Sequence, residues 1–157
     1  MNEKIKTNIL FLCLDEKFGE DVSKTVAEDF SMHFAKVKEL VEYDLFDSGE
    51  VLAKCGEEYY LEREQKVVRS ICSYENALFF SNYDIFTHNK NEFLLNCTVV
   101  YLEIPKKLLS GKEVVNRLSF DIKDKELQDI AYITVELKNL NKRTAIKEIY
   151  GVLGEIK

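Results

Sequence analysis

Four carboxylates and one ammonium crowd the stretch Cys13-Leu14-Asp15-Glu16-Lys17-Phe18-Gly19-Glu20-Asp21. The acids are Asp15, Glu16, Glu20 and Asp21, and the base is Lys17. Carboxylates at this density could hold a cation or an amine, although no spacing among the four is that of a magnesium or calcium site. They could also act structurally, because acidic residues in a first helical turn favour the helix dipole by about 0.3–1 kcal/mol each. That structural role is the expectation for Glu20 and Asp21. A second pair, Lys36 and Lys38, alternates in the run Met32 to Val37 and just beyond it. On a strand both would point to one face and could form an anion pocket opposite the acidic turn; a solvated strand end is the plainer reading. His33 and His88 show no partner pattern. Tyr59, Tyr60, Tyr83 and Phe86 could line a cleft or pack a core.

The elements that must position these residues can be read from periodicity. Asn8 to Leu14 is a short apolar run rich in strand formers, and Val22, Val26, Ala27 and Phe30 then fall on one helical face. The spacing predicts a strand, a turn across the acidic stretch, and a helix over about Glu20 to Phe30. A second strand is expected over Met32 to Val37 and a short helix over Leu40 to Asp47. Ser48-Gly49-Glu50 should start another helical turn ending near Gly56. A long helix is expected over Glu57 to Ser73, a strand over Ala77 to Ser81, a helix over Ile85 to Leu95, and a strand over Cys97 to Ile104 that Pro105 stops. Lys106 to Leu118 reads as helical, Asp124 to Asp129 as a short turn, Tyr132 to Leu137 as a fifth strand, and Lys142 to Leu153 as a last helix with an Ile146, Ile149, Tyr150, Leu153 stripe. Short apolar strands alternating with helices specify a three-layer α/β/α protein with a five-stranded parallel sheet and right-handed crossovers.

The bulk numbers bound the function. The chain has 157 residues, which fits a single domain over 1–157, and 46% are hydrophobic, enough for a sizeable core. A net charge of −6 argues against nucleic acid as a partner, which would favour a basic surface. Met1 to Thr7 shows no signal-peptide pattern, and no apolar run approaches the roughly 20 residues that span a bilayer. The expectation is a soluble, cytoplasmic protein with no membrane partner. Its oligomeric state, monomer or weak dimer, is left open. Cys13, Cys55, Cys72 and Cys97 lack CxxC spacing and only two histidines are present, so zinc is not expected and buried thiols are.

Three segments carry a family resemblance. Gly56-Glu57-Glu58-Tyr59-Tyr60-Leu61-Glu62-Arg63-Glu64 resembles the Gly-Glu-x-x-Phe-Arg-x-x-Glu helix start of the shikimate kinases, small P-loop kinases of the nucleoside-monophosphate kinase type. Cys97-Thr98-Val99-Val100-Tyr101-Leu102 resembles their Val-Val-Tyr-Leu strand, and Ile130-Ala131-Tyr132-Ile133 their last strand. The resemblance implies a P-loop kinase fold with a shortened lid between Ile104 and Ala131, and a family activity of ATP-dependent phosphate transfer to shikimate with magnesium.

Set against that pattern, most functional positions differ. The family's phosphate loop, Gly-x-x-Gly-x-Gly-Lys-Ser-Thr, falls without gaps on Cys13 to Asp21. Its lysine falls on Gly19 and its magnesium-binding serine on Glu20. Its Asp-x-Asp falls on Lys36-Val37-Lys38, its shikimate-carboxylate arginine on Leu61, its Gly-Gly-Gly near Asn82-Tyr83-Asp84, and its adenine-side arginine near Lys123. Glu64 keeps the acidic residue one turn after the missing arginine, and Arg117 aligns with a lid arginine. A phosphate loop needs glycines so that backbone amides can close on the anion. Carboxylates about 4 Å from a phosphate cost on the order of 4 kcal/mol per charge pair at an effective dielectric near 20. The resulting expectation is a catalytically inactive, shikimate-kinase-like binding or regulatory protein. No cofactor is expected, with ATP and magnesium entering only if the loop still grips phosphate. No catalytic residue is assigned, a protein partner is the expected kind, and Lys36, Lys38, Glu64 and Arg117 are the candidate cleft residues. The alternatives are an active small-molecule kinase with a rebuilt site and a small-molecule sensor using the altered cleft.

Overall fold

The computed structural model describes residues 8–45, 55–108 and 117–156. The chain runs β1 (Asn8–Cys13), α1 (Glu16–Asp29), β2 (His33–Lys36), α2 (Val37–Leu45), α3 (Glu57–Ile71), β3 (Ala77–Ser81), α4 (Tyr83–His88), α5 (Lys90–Asn96), β4 (Cys97–Glu103), α6 (Arg117–Ile130), β5 (Ile133–Glu136) and α7 (Lys142–Ile156), with a 3₁₀ turn at Lys106–Leu108. The strands form one sheet in the order β2-β3-β1-β4-β5. Every pairing is parallel; Ile9 sits beside Leu78 on one side and Thr98 on the other.

All six residues of β1 are buried because both faces of the sheet are covered. Alternate side chains enter two cores. Ile9, Phe11 and Cys13 pack with Val22, Val26, Phe80 and Ile149. Leu10 and Leu12 pack with Val41, Val68, Phe79, Phe86 and Tyr101. Cys13, Cys72 and Cys97 are buried thiols within these cores, while Cys55 is exposed. Among the described residues no helix is long and apolar enough to cross a membrane.

The α/β architecture and five parallel strands agree with the sequence reading, and several boundaries do not. Helix α1 begins at Glu16, not Glu20, because Asp15 caps it. The expected helix over Ile85 to Leu95 is two short helices, α4 and α5, parted at Asn89, whose backbone (φ −130°) leaves the helical region. The turn expected at Asp124 to Asp129 lies inside the fourteen-residue α6. Of the helix expected over Lys106 to Leu118, only the 3₁₀ turn and the first residues of α6 are described; the turn expected at Ser48-Gly49-Glu50 lies outside the described residues. Lys36 ends β2 whereas Lys38 lies in the first turn of α2, so the two do not alternate on one strand.

Candidate functional site

The carboxyl ends of the parallel strands gather the candidate residues, as open α/β sheets place their ligand crevices there. After β1 the chain has only Leu14 and Asp15 before α1 starts. The Asp15 side chain accepts from the Phe18 amide at 3.0 Å and its carbonyl from the Gly19 amide at 2.9 Å. A helix N-terminus holds an anion through amides without intrahelical partners. Here a protein carboxylate already occupies one of them, and the helix itself takes the next. Asp15→Ala should therefore cost about 1 kcal/mol, as removal of an acidic N-cap does. The expected fall in melting temperature is about 2–4 °C for a chain of this size, read by calorimetry.

Gly19 faces inward. A Cβ there would lie 2.5 Å from Cys13 Cβ and 2.6 Å from Phe80 Cε1. The position that aligns with the family's phosphate-binding lysine therefore points into the sheet rather than into the crevice. Glu20 and Asp21 lie in the second turn of α1, so their expected first-turn role passes to Asp15 and Glu16. Glu20 pairs with Lys36 at 3.0 Å and Asp21 with Lys142 at 3.2 Å. The bond to Glu20 raises the Lys36 pKa. Lys36 is therefore tied to the acidic turn, not facing it across an open anion pocket. Lys17 is exposed, beside Asp15, Phe18, Glu20 and Asp21 on the surface of α1.

A separate cleft of about 500 Å³ opens between α2, α3 and the start of α4. Its apolar wall is Tyr60, Leu61 and Ile85; its polar groups include Lys38, Glu42, Glu57, Glu64, Asp84 and His88. Glu64 is the buried member, only 1% exposed. Its Oε1 accepts from Asn89 Nδ2 at 2.9 Å and lies 3.0 Å from His88 Nδ1. Asn89 also donates to the Ile85 carbonyl at 2.9 Å. Among the described residues Glu64 Oε2 is buried and has no hydrogen-bond partner. Burial raises the Glu64 pKa, and the bond from His88 opposes that. Burial, then the charge of Glu64 and the closeness of the Tyr60 hydroxyl to that carboxylate, push the Tyr60 phenol up, although the hydroxyl is not in hydrogen-bond geometry with Oε2. Asn82 caps α4, accepting from the Ile85 amide at 2.9 Å. The Glu64–His88 contact was missed from sequence: the two lie 24 positions apart and no spacing rule links them.

Of the other candidates, Arg117 is the first residue of α6, and its side chain lies outside the described residues. Phe86 is core, Tyr59 is exposed, and Tyr83 donates to Glu126 at 2.6 Å under the ammonium of Lys123. Lys106 pairs with Asp121 at 2.8 Å.

At the far edge of the crevice Glu103, Asp124 and Gln128 meet, with Tyr101 donating to Asp124 at 2.6 Å and Gln128 bridging Asp124 and Glu103. Burial and the neighbouring Asp124 raise the Glu103 carboxyl to about 7. A carboxyl whose folded pKa is raised adds stability below its unfolded pKa and loses it as pH rises through the folded one. Glu103→Gln should thus raise the melting temperature near pH 8 and leave it nearly unchanged near pH 4, in thermal scans at about those two values.

No protein-family model matches the chain. A shikimate kinase of Dehalococcoides mccartyi is 28% identical over 163 residues, covering 93% of both chains. The structure of shikimate kinase from Acinetobacter baumannii in complex with shikimate aligns with a TM-score of 0.72 at 19% identity, over 98% of this chain and 96% of that one. Shikimate kinase from Bacteroides thetaiotaomicron gives 0.75 at 16% identity, over 94% and 98%. Dephospho-CoA kinase from Campylobacter jejuni gives 0.67 at 15% identity, over 97% and 98%. The class is therefore that of the P-loop kinase fold: a five-stranded parallel sheet flanked by helices. Within it the chain is shikimate-kinase-like, in sequence along nearly its whole length and in fold.

Proposed function

We propose that this shikimate-kinase-like chain binds a partner or small molecule and does not transfer phosphate. The observation that carries the reading is the start of α1: two residues after β1 the helix is closed by Asp15, and Gly19 is packed against Cys13 and Phe80. The Phe18 amide, one of those that could cradle phosphate, is taken by the Asp15 carboxylate, and Asp15, Glu20 and Asp21 line the surface beside it, where their charge opposes an anion.

The acceptor side supports the same reading. Leu61 stands where the resemblance puts the arginine for the shikimate carboxylate, and it forms part of an apolar wall. An active kinase with a rebuilt site would need Lys17, Lys36, Lys38 or Arg117 to grip phosphate. Lys36 is held by Glu20, and Lys38 lies on the acidic cleft of Glu42, Glu57 and Glu64. ATP and magnesium are accordingly not cofactors in this proposal, and the setting is cytoplasmic. The cleft favours a small-molecule sensor role alongside a protein partner, because it is large enough for a ligand and lined by both apolar and ionic groups.

A coupled assay with ATP, magnesium and shikimate tests the proposal. The expected result is no turnover above a protein-free control. Turnover that disappears in Lys17→Ala or Arg117→Ala would overturn it.

A further inference from the structure

The buried oxygen of Glu64 is the feature that neither the fold nor the closed phosphate turn explains. A buried carboxylate oxygen without a donor is unfavourable, and native structures supply a partner for almost every such atom. Here Oε1 has its donors from His88 and Asn89, and Oε2 has none among the described residues. Glu64 lines a cleft of about 500 Å³, so a ligand can bring the missing donor.

The charge of the walls says which kind. Glu42, Glu57, Glu64 and Asp84 face Lys38 and His88, and His88 is already engaged by Glu64. An anion entering this cleft meets an excess of carboxylates, whereas a cation is attracted. A metal ion is a poor fit, since among the described residues no three His, Cys, Asp or Glu side chains are grouped to hold one. The apolar wall of Tyr60, Leu61 and Ile85 asks for hydrocarbon.

We infer that the cleft between α2, α3 and α4 binds a small monocationic amine, with an ammonium N–H donating to Glu64 Oε2 and the hydrocarbon part lying against Tyr60, Leu61 and Ile85. The inference rests on the reading that this chain binds rather than phosphorylates, because it names the ligand class of that binding role. Lys38 limits the charge, since a second ammonium on the ligand would be repelled by it.

Amide NMR titration of the full chain with benzylamine, benzyl alcohol and benzoate tests this. Benzylamine is expected to give saturable shifts around Glu64, Asn82 and Asn89. Benzyl alcohol should bind about tenfold more weakly, and benzoate should leave these signals in place. Glu64→Gln keeps the shape and removes the charge, and should weaken benzylamine at least about tenfold. Leu61→Arg, at a half-buried position, provides a second variant: its guanidinium should exclude benzylamine and admit benzoate. Benzoate binding as well as benzylamine to the unaltered protein would overturn the inference. So would benzylamine binding that both variants leave intact, or no saturable shift up to about 20 mM. Titrating ATP–magnesium into the same samples keeps the two readings apart: binding of both nucleotide and amine overturns only the reading that the phosphate turn is closed, and binding of neither overturns only the amine.

Discussion

Gly19→Lys should unfold this protein instead of giving it a phosphate grip. The ungapped family pattern puts the phosphate-binding lysine at this position, so the substitution looks like a restoration. The geometry says otherwise. Even a methyl group at Gly19 would meet Cys13 Cβ at 2.5 Å and the Phe80 ring at 2.6 Å. Cys13 ends the central strand and Phe80 is 2% exposed in its neighbour, so neither can retreat without moving the sheet. Overpacking of this kind costs about 1–3 kcal/mol for added methylenes, and occasionally more. Alanine removes a helical glycine, which returns up to about 1 kcal/mol. Gly19→Ala should consequently cost a net of about 2 kcal/mol. Lysine adds three further methylenes and an unpaired buried charge, which together consume most of the roughly 5–15 kcal/mol that holds a domain folded. Circular dichroism and urea titration check both variants. A folded Gly19→Lys with near-native stability would show that this side chain has a way out to the crevice.

The second large effect is expected at Asn89. This residue parts α4 from α5 and is 6% exposed. Its amide nitrogen donates to Glu64 Oε1 and to the Ile85 carbonyl, both at 2.9 Å. Asn89→Leu removes both bonds and leaves the buried carboxylate with His88 as its remaining donor on Oε1. The expected cost is about 2–3 kcal/mol, since a buried charged acceptor that loses a donor pays its desolvation. For a chain of this size that is a fall of about 5–10 °C in melting temperature. The loss should be larger near pH 8 than near pH 4. Glu64 has a raised pKa, so its ionised form is the one that burial penalises, and protonation relieves it as pH falls. Asn89→Leu combined with Glu64→Gln should lose less than the sum of the single changes, because the charge that needed the donor is gone. Strict additivity of the two would mean that the Glu64 charge does not depend on Asn89.

The sheet was legible because its signal is local. Asn8 to Cys13, Ala77 to Ser81 and Cys97 to Glu103 are apolar runs bounded by turn residues, and each is a strand of nearly the expected extent. The start of α1 was harder. Acidic residues at 15, 16, 20 and 21 satisfy both a loop and a helical turn, and the capping bond from Asp15 that decides between them is a three-dimensional fact. The break at Asn89 has the same origin: the apolar set Ile85, Phe86, Phe93 and Leu94 reads as one helix, whereas the Asn89 side chain is drawn to Glu64, 25 positions away. Resemblance placed Glu64 and Leu61 among the cleft positions, and the structure brings both to one cavity with His88. It placed Lys36 there too, whereas the structure ties Lys36 to Glu20 on another element, away from that cavity. Charge type was visible in the sequence; who pairs with whom was not.

Isothermal titration calorimetry of the full chain with ATP–magnesium tests the central claim most directly, because a phosphate gripped by the Phe18 amide would have to displace the Asp15 cap. The account predicts no saturable heat at nucleotide concentrations up to the low millimolar range. A one-to-one isotherm for the unaltered chain that is lost in Lys17→Ala would contradict it.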